Sequence, residues 1–245
     1  GAWNAHEEAF FESLRPLSHL TARLSYSLTG TPPDASYASS STVLRAMTQY
    51  RPMGSDKESS IGIYNYGNAD LTYEKKNEIN FGVDLGLLRD RLNITFDVYQ
   101  RRNFDELVPY LTYLKGTMFA NEGKMKSWGE ELSISSTNIK RDNFSWNTSF
   151  VYSHTKTEIS KLFNQGTVFD MISGIGFAKQ GYPVRAIFSI PFVGLNNEGL
   201  PQFINEKGEI TTHNINFQER DKTDFLKYEG PSDPVYSGSL SNVFN

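Results

Sequence analysis

Between Asn77 and Arg102, apolar and polar residues alternate with a period of two. Ile79, Phe81, Val83, Leu85 and Leu87 fall on one parity and Asn80, Gly82, Asp84 and Gly86 on the other, which predicts a strand with one apolar and one polar face. Leu92, Ile94, Phe96 and Val98 alternate with Asn93, Thr95, Asp97 and Tyr99 in the same way, and Leu88 to Arg91 is short enough to close a hairpin. Parity then sets the register. Leu87 should face Leu92, Leu85 should face Ile94, Val83 should face Phe96 and Phe81 should face Val98, so every pair on that face is apolar. An arm of about ten residues spans roughly 33 Å, and a tilt of about 45° reduces this to about 24 Å, the height of a bilayer's apolar band. A hairpin of a soluble β-sandwich also alternates, with strands nearer about five or six residues, so these two arms leave both architectures open.

The same pattern recurs along the chain. Leu20, Ala22, Leu24, Tyr26 and Leu28 predict an earlier strand, which Thr29-Gly30-Thr31-Pro32-Pro33 ends by turn chemistry. A second hairpin has Leu132, Ile134 and Ser136 on one arm, Phe144, Trp146, Thr148, Phe150 and Tyr152 on the other, and a polar turn from Asn138 to Asn143. A further strand is expected at about Val184 to Leu195, bent by Pro191, and a helical turn within Glu7 to Leu17, stopped near Pro16. Between these lie long polar stretches, Asp34 to Tyr73, Asn103 to Ser127 and Thr155 to Pro183. Short and long connections therefore alternate. A sandwich has no reason to keep that order. The pattern predicts an all-β, antiparallel, up-and-down transmembrane β-barrel segment with short periplasmic turns and long extracellular loops. The polar parity is mostly Asn, Ser, Thr, Gly and Asp, as a barrel lumen requires, and Phe144, Trp146 and Tyr152 fall near strand ends, where an interfacial aromatic belt would put them.

Composition narrows the chemistry. Aromatics make up 13% of the 245 residues, which favours strands, and the absence of Cys removes disulfides and thiolate metal sites. A net charge of -4 without blocks of like charge gives no reason to expect a nucleic-acid partner. No run approaches about 18 apolar residues, so no spanning helix is expected, while a mean hydropathy of -0.47 suits strands that are only half apolar. The start, Gly1-Ala2-Trp3-Asn4, lacks the basic region and apolar core of a signal peptide and reads as mid-protein. Sequons at Asn93, Asn143 and Asn147 lie in or beside strands and read as chance. His6, His19, His154 and His213 are scattered without metal spacing, and no nucleophile order or phosphate loop stands out, so neither an enzyme nor a cofactor is expected. Asp84 and Asp97 share the polar face, with Asp97 opposite Gly82 and Asp84 opposite Thr95. That placement points to a lumenal hydrogen-bond network rather than an acid pair.

Gly67-Asn68-Ala69-Asp70-Leu71-Thr72-Tyr73-Glu74, followed by Phe81-Gly82-Val83-Asp84 and Asp97-Val98-Tyr99, resembles the barrel of SusC/RagA-type TonB-dependent outer-membrane transporters. The likeness extends to Trp3-Asn4, Leu24 to Gly30, Asn121 to Met125 before Gly129-Glu130-Glu131-Leu132, Phe144-Ser145-Trp146, Gly181-Tyr182-Pro183-Val184 and Gly230-Pro231-Ser232-Asp233-Pro234, in the expected order. The departures are Glu130 where the family has a small or apolar residue, Tyr73 where Trp is common, and an end, Ser241 to Asn245, unlike a closing strand. By this resemblance, residues 1–245 are part of one barrel domain whose plug and remaining strands lie outside the chain. Its roughly seven to nine strands would leave two open edges that must be paired, covered or wet.

The resemblance implies import of an oligosaccharide or peptide across the outer membrane of a Gram-negative bacterium. A SusD-like surface lipoprotein, the TonB complex acting through the plug, and outer-membrane lipid are the implied partners. Tyr64, Tyr66, Tyr110, Tyr113 and Trp128, expected in outer loops or at the rim, are the candidate ligand contacts, because flat rings stack on sugars and carry a polar tip. A soluble β-sandwich that binds glycans and a β-rich hydrolase with converging acids remain as alternatives.

Overall fold

The computed structural model describes residues 1–8, 10–11, 17–34, 39–50, 57–112, 116–162 and 166–245. In chain order the strands are β1 (Ala2–Asn4), β2 (Leu17–Thr31), β3 (Val43–Tyr50), β4 (Lys57–Asn65), β5 (Glu74–Leu87), β6 (Leu92–Thr112), β7 (Gly116–Arg141) and β8 (Phe144–Lys161). The helix α1 (Val168–Met171) then precedes β9 (Ala186–Ser189), β10 (Phe192–Leu195), β11 (Pro201–Ile204), β12 (Ile210–Thr211), β13 (Lys227–Pro231) and β14 (Tyr236–Phe244). A seven-stranded sheet in the order β1-β2-β5-β6-β7-β8-β14 forms a wall in which every neighbouring pair is antiparallel. It is a barrel segment and does not close on itself.

The register read from parity is the register found, with Leu87 opposite Leu92, Leu85 opposite Ile94, Val83 opposite Phe96 and Phe81 opposite Val98. The apolar rows run on across the wall. One row joins Leu20, Leu85, Ile94, Ile134, Phe150 and Leu240 from strand to strand, and the next joins Ala22, Val83, Phe96, Leu132, Tyr152 and Gly238. Phe81 is 46% exposed and Phe96 37%, so this face is not stacked on a second sheet and the sandwich alternative fails. Aromatics bound the rows. Towards the short turns Trp146 stacks on Phe244 at 5.7 Å; towards the far end Trp128, His154 and Tyr236 lie ring to ring, 4.9 and 4.6 Å apart. From Phe144 to His154 is about 33 Å along β8, or about 24 Å in height after tilting, close to the spacing of two interfacial girdles.

Irregularities of the wall's ladder are confined to its ends. Register shifts occur at Leu17/His19, Thr137/Ile139, Phe104 to Leu107 and Lys124/Met125, and none falls among the rows from Leu85 to Ile79. A bulge leaves a backbone group unpaired, which water tolerates and hydrocarbon does not.

Outside the band, several expectations need correction. Asn103 to Ser127 is no loop, because β6 and β7 stay paired out to Thr112 and Gly116. Beyond the membrane both faces are wet, so the strand continues without the alternation that would announce it. Asp34 to Tyr73 contains the β3–β4 hairpin, and Thr155 to Lys161 belongs to β8. The turn expected from Asn138 to Asn143 shrinks to Asp142-Asn143, since Ile139 to Arg141 pair with β8 past the bulge. The strand expected at Val184 to Leu195 is two short ones in separate sheets, β9 with β13 and β10 with β11. Pro191, which cannot donate to a ladder, stands between them. Both belong to an outer unit between β8 and β14, whose core is Val168, Met171, Ala186, Phe188 and Leu226. Near the start, a 3-10 helix covers Ala5–Glu7, and 12–16 lie outside the described residues.

The two faces of one strand should respond oppositely to the same charge. In the complete barrel refolded into vesicles, Leu132→Arg is expected to cost about 2–4 kcal/mol of folding free energy near the band's midplane. The adjacent Ser133→Arg, on the polar face, should cost well under half of that. Urea midpoints would measure both, and equal costs would contradict the assignment of the faces.

Candidate functional site

The polar face is held by charge and by seats cut in the backbone. Arg23 Nε donates to Asp84 Oδ2 at 2.7 Å, while its Nη2 reaches Asp84 Oδ1 at 3.2 Å and Asp97 Oδ2 at 3.1 Å. The acids that shared a face in the sequence are thus clamped by one guanidinium across three strands, a fork matched to carboxylates. Gly82 makes room for it, because a Cβ there would meet Arg23 Nη2 at 2.7 Å and run into Asp97 Oδ1. Tyr99, only 4% exposed, lies over Gly129, where a Cβ would meet its Oη at 2.5 Å. The Tyr99 hydroxyl shares a hydrogen bond of 2.9 Å with Thr155 Oγ1, and the Arg101 guanidinium sits 3.9 Å above the ring. Arg101 Nε in turn donates to Glu78 at 2.8 Å. Nearer the outer end, a shallow pocket of about 240 Å3 opens among Thr29, Thr31, Glu74, Lys76, Asn103 and Glu106.

The stretches that carry the family resemblance meet in space at the outer rim. Thr72 N donates to Asn121 Oδ1 and Asn121 Nδ2 donates to Thr72 O, both at 2.8 Å, so one side chain imitates a strand pair. Asn68 Nδ2 donates to Phe119 O at 2.9 Å, and Glu74 accepts from Leu107 N at 2.8 Å just past the bulge where Asp105 takes φ 57°. Gly181 N donates to Ile159 O at 2.8 Å and Ile159 N to Tyr182 O at 2.9 Å, tying the outer unit to β8. Arg185 Nη1 donates to Asp233 at 2.8 Å within that unit. These motifs fasten loops to strand ends.

Over residues 10–184 the sequence matches the family described as TonB dependent receptor-like, beta-barrel. The chain belongs to this family. TonB-dependent receptor SusC of Bacteroides thetaiotaomicron is 31% identical over 167 residues, 65% of this chain and 16% of the relative. TonB-dependent receptor P3 of Formosa agariphila is 29% identical over 164 residues, 66% of this chain and again 16% of the relative. The chain therefore spans about a sixth of the length of these curated relatives. The solved RagAB peptide transporter shares the fold over 100% of this chain and 27% of its own, with a TM-score of 0.76 at 23% identity. In this outer-membrane family the apolar rows face lipid and the Arg23 and Tyr99 networks face the lumen.

Of the aromatics singled out in the sequence, the structure gathers some and separates one. Tyr64, 59% exposed at the end of β4, carries the Arg45 guanidinium 5.2 Å above its ring, and Tyr66 follows it, half-buried. The backbone of Tyr110 pairs with Met118 on the extended hairpin, beside the Phe119 carbonyl that Asn68 holds. The Tyr64–Tyr66 segment and that hairpin are therefore tied together at the rim. Tyr113 lies outside the described residues. Trp128, expected at the rim, sits on the lipid side in a row with Tyr26, Ile79 and Gln100. The lumenal roles of Arg23 and Tyr99 escaped the sequence reading, although a Gly directly opposite each, Gly82 and Gly129, was a usable signal.

Filling the Gly82 seat tests the lumenal clamp. Gly82→Ala in the complete receptor is expected to cost about 1–3 kcal/mol, read from its urea midpoint, because Arg23 and Asp97 must both move. In the outer unit, the Thr167 backbone N–H, joined by the Thr167 hydroxyl, holds the Asp170 carboxyl below the usual carboxylate range at the start of α1. The ionised form is the favoured one, so its contribution is complete above the ordinary value and is lost as pH falls through the depressed one. Proteolysis of the outer unit should quicken in that acid window, and Asp170→Asn should weaken the dependence, leaving the part carried by Glu219 and Glu229, which are held down in the same unit.

Proposed function

We propose that this chain is part of the barrel wall of an outer-membrane importer of oligosaccharides or peptides. In this reading a SusD-like lipoprotein presents the substrate at the rim, and TonB draws it inward through a plug carried elsewhere in the complete receptor. The observation that carries the proposal is the two-sidedness of one wall. Its outward face carries unbroken apolar rows at mid-height, with Ser136, Thr148 and Asn242 in the row beside the lower girdle and Glu130 in the row of the upper one, while its inward face is held by ion pairs across a polar surface. The peptide class is suggested by the solved RagAB peptide transporter and the oligosaccharide class by the resemblance to SusC/RagA-type transporters. No bond is made or broken by the wall. It supplies a passage, and the outer hairpins supply a binding rim.

At that rim Tyr64, Tyr66, Tyr110 and Tyr113 are proposed to contact substrate or lid, whereas Trp128 anchors the wall in the interface. Tying the segment that carries Tyr64 and Tyr66 to the β6–β7 hairpin through Asn68 holds that segment in place before a ligand arrives and lowers the entropy cost of binding.

A strain lacking the complete receptor is expected to lose uptake of one labelled pool, oligosaccharide or peptide, and to regain it on complementation. Unchanged uptake of every pool would end the proposal. Tyr64→Ala with Tyr66→Ala should weaken substrate binding by a few-fold to tenfold per ring, at about 0.5–1.5 kcal/mol each, while barrel assembly stays intact.

A further inference from the structure

On the lipid side, just beyond the upper girdle, the wall carries a cluster of cations that its own acids neutralise only in part. Counting outward from the Trp128 row, which ends in Lys156, the next row joins Asn77, Arg102, Lys126 and Glu158, and the one after joins Lys75, Phe104, Lys124 and Lys161. Lys126 pairs with Glu158 at 2.9 Å, Lys75 with Asp105 at 2.8 Å, and Lys161 with Glu122. Among the described residues, Arg102, Lys124 and Lys156 are exposed and have no acid partner. The register makes matters worse, because Arg102 stands directly opposite Lys126, and Lys124 directly opposite Lys161. Like charges directly opposed across a ladder are destabilising, and each opposed pair has only one acid, Glu158 or Glu122, so one cation in each is left for an anion from outside the chain.

Its position says which anion. The cluster continues the lipid-facing rows and begins within one or two rows of Trp128 and Tyr236, so it lies at the depth of the outer-leaflet headgroups. Exposed Lys and Arg at that depth reach out from an apolar surface and keep their charge in the headgroup layer. We propose that Arg102, Lys124 and Lys156 form a binding site for the phosphate of an anionic outer-leaflet lipid, whose acyl chains lie along Val98, Phe96 and Ile94. The guanidinium of Arg102 grips phosphate oxygens bidentately, and the two ammonium groups act as point charges on either side. Bound lipid would offset the repulsion built into the register and help fix the depth of the wall in the membrane.

The test uses the complete receptor in vesicles of phosphatidylcholine containing graded phosphatidylglycerol, with retained lipid read by native mass spectrometry. With each basic residue contributing about 1 kcal/mol near an anionic surface, Arg102→Gln with Lys124→Gln and Lys156→Gln should lower the preference for phosphatidylglycerol by about 100-fold at low salt, and by less as salt rises. Lys124→Arg with Lys156→Arg should keep the preference, which separates charge from misfolding. Inorganic phosphate at matched concentration should fail to displace the lipid. An unchanged preference in the triple variant, or displacement by inorganic phosphate as effective as by lipid, would overturn the site.

Discussion

A strand that crosses hydrocarbon has no water to bond its peptide groups, so each N–H and C=O there must be met by a neighbouring strand. This one constraint orders the wall. From β5 through β8 the ladder is paired on both sides across the band, and its register shifts fall outside the rows from Leu85 to Ile79, towards the strand ends. The same constraint leaves β1 and β14, at the sheet's margins, each with one unpaired edge among the described residues.

With the backbone satisfied by neighbours, side chains are free to specialise by face. The outward side needs no partner beyond lipid, and its rows accordingly contain Leu, Ile, Val and Phe at exposures that would be unstable in water. The inward side must hold its shape without a hydrophobic core, and it does so through short charged contacts. Arg23 spans Asp84 and Asp97, and Tyr99 is pressed flat between Gly129 and Arg101. A glycine directly across the ladder lets a large side chain lie down on the sheet, which stiffens the wall and keeps the passage clear.

The outer ends obey different rules. Beyond the girdle both faces are wet, bulges are allowed, and order comes from specific side-chain bonds to backbone. Asn68, Asn121 and Glu74 make such bonds at one junction, and Asp170 makes its own at the start of α1. The rim can vary in shape while the band beneath it keeps its register.

The membrane-spanning hairpins were legible in the sequence because parity is a local property. A one-residue slip would send Phe81, Phe96 and Leu132 into the lumen, so alternation alone fixes which residues pair and which face they share. Even the Asp84 and Asp97 network could be located from that register. Where the environment no longer differs between faces, parity carries no signal. The extension of β6 and β7, the split of Val184 to Leu195 into β9 and β10, and the core around Val168 and Phe188 therefore came only from tertiary contacts. The residues of the rim were named by type, but their assembly was not, because Asn68 and Phe119 lie 51 positions apart and nothing local to either announces the other. The sequence by itself determined a two-faced wall of membrane height; the fold decided which side chains share a junction, since that depends on distances through space rather than along the chain.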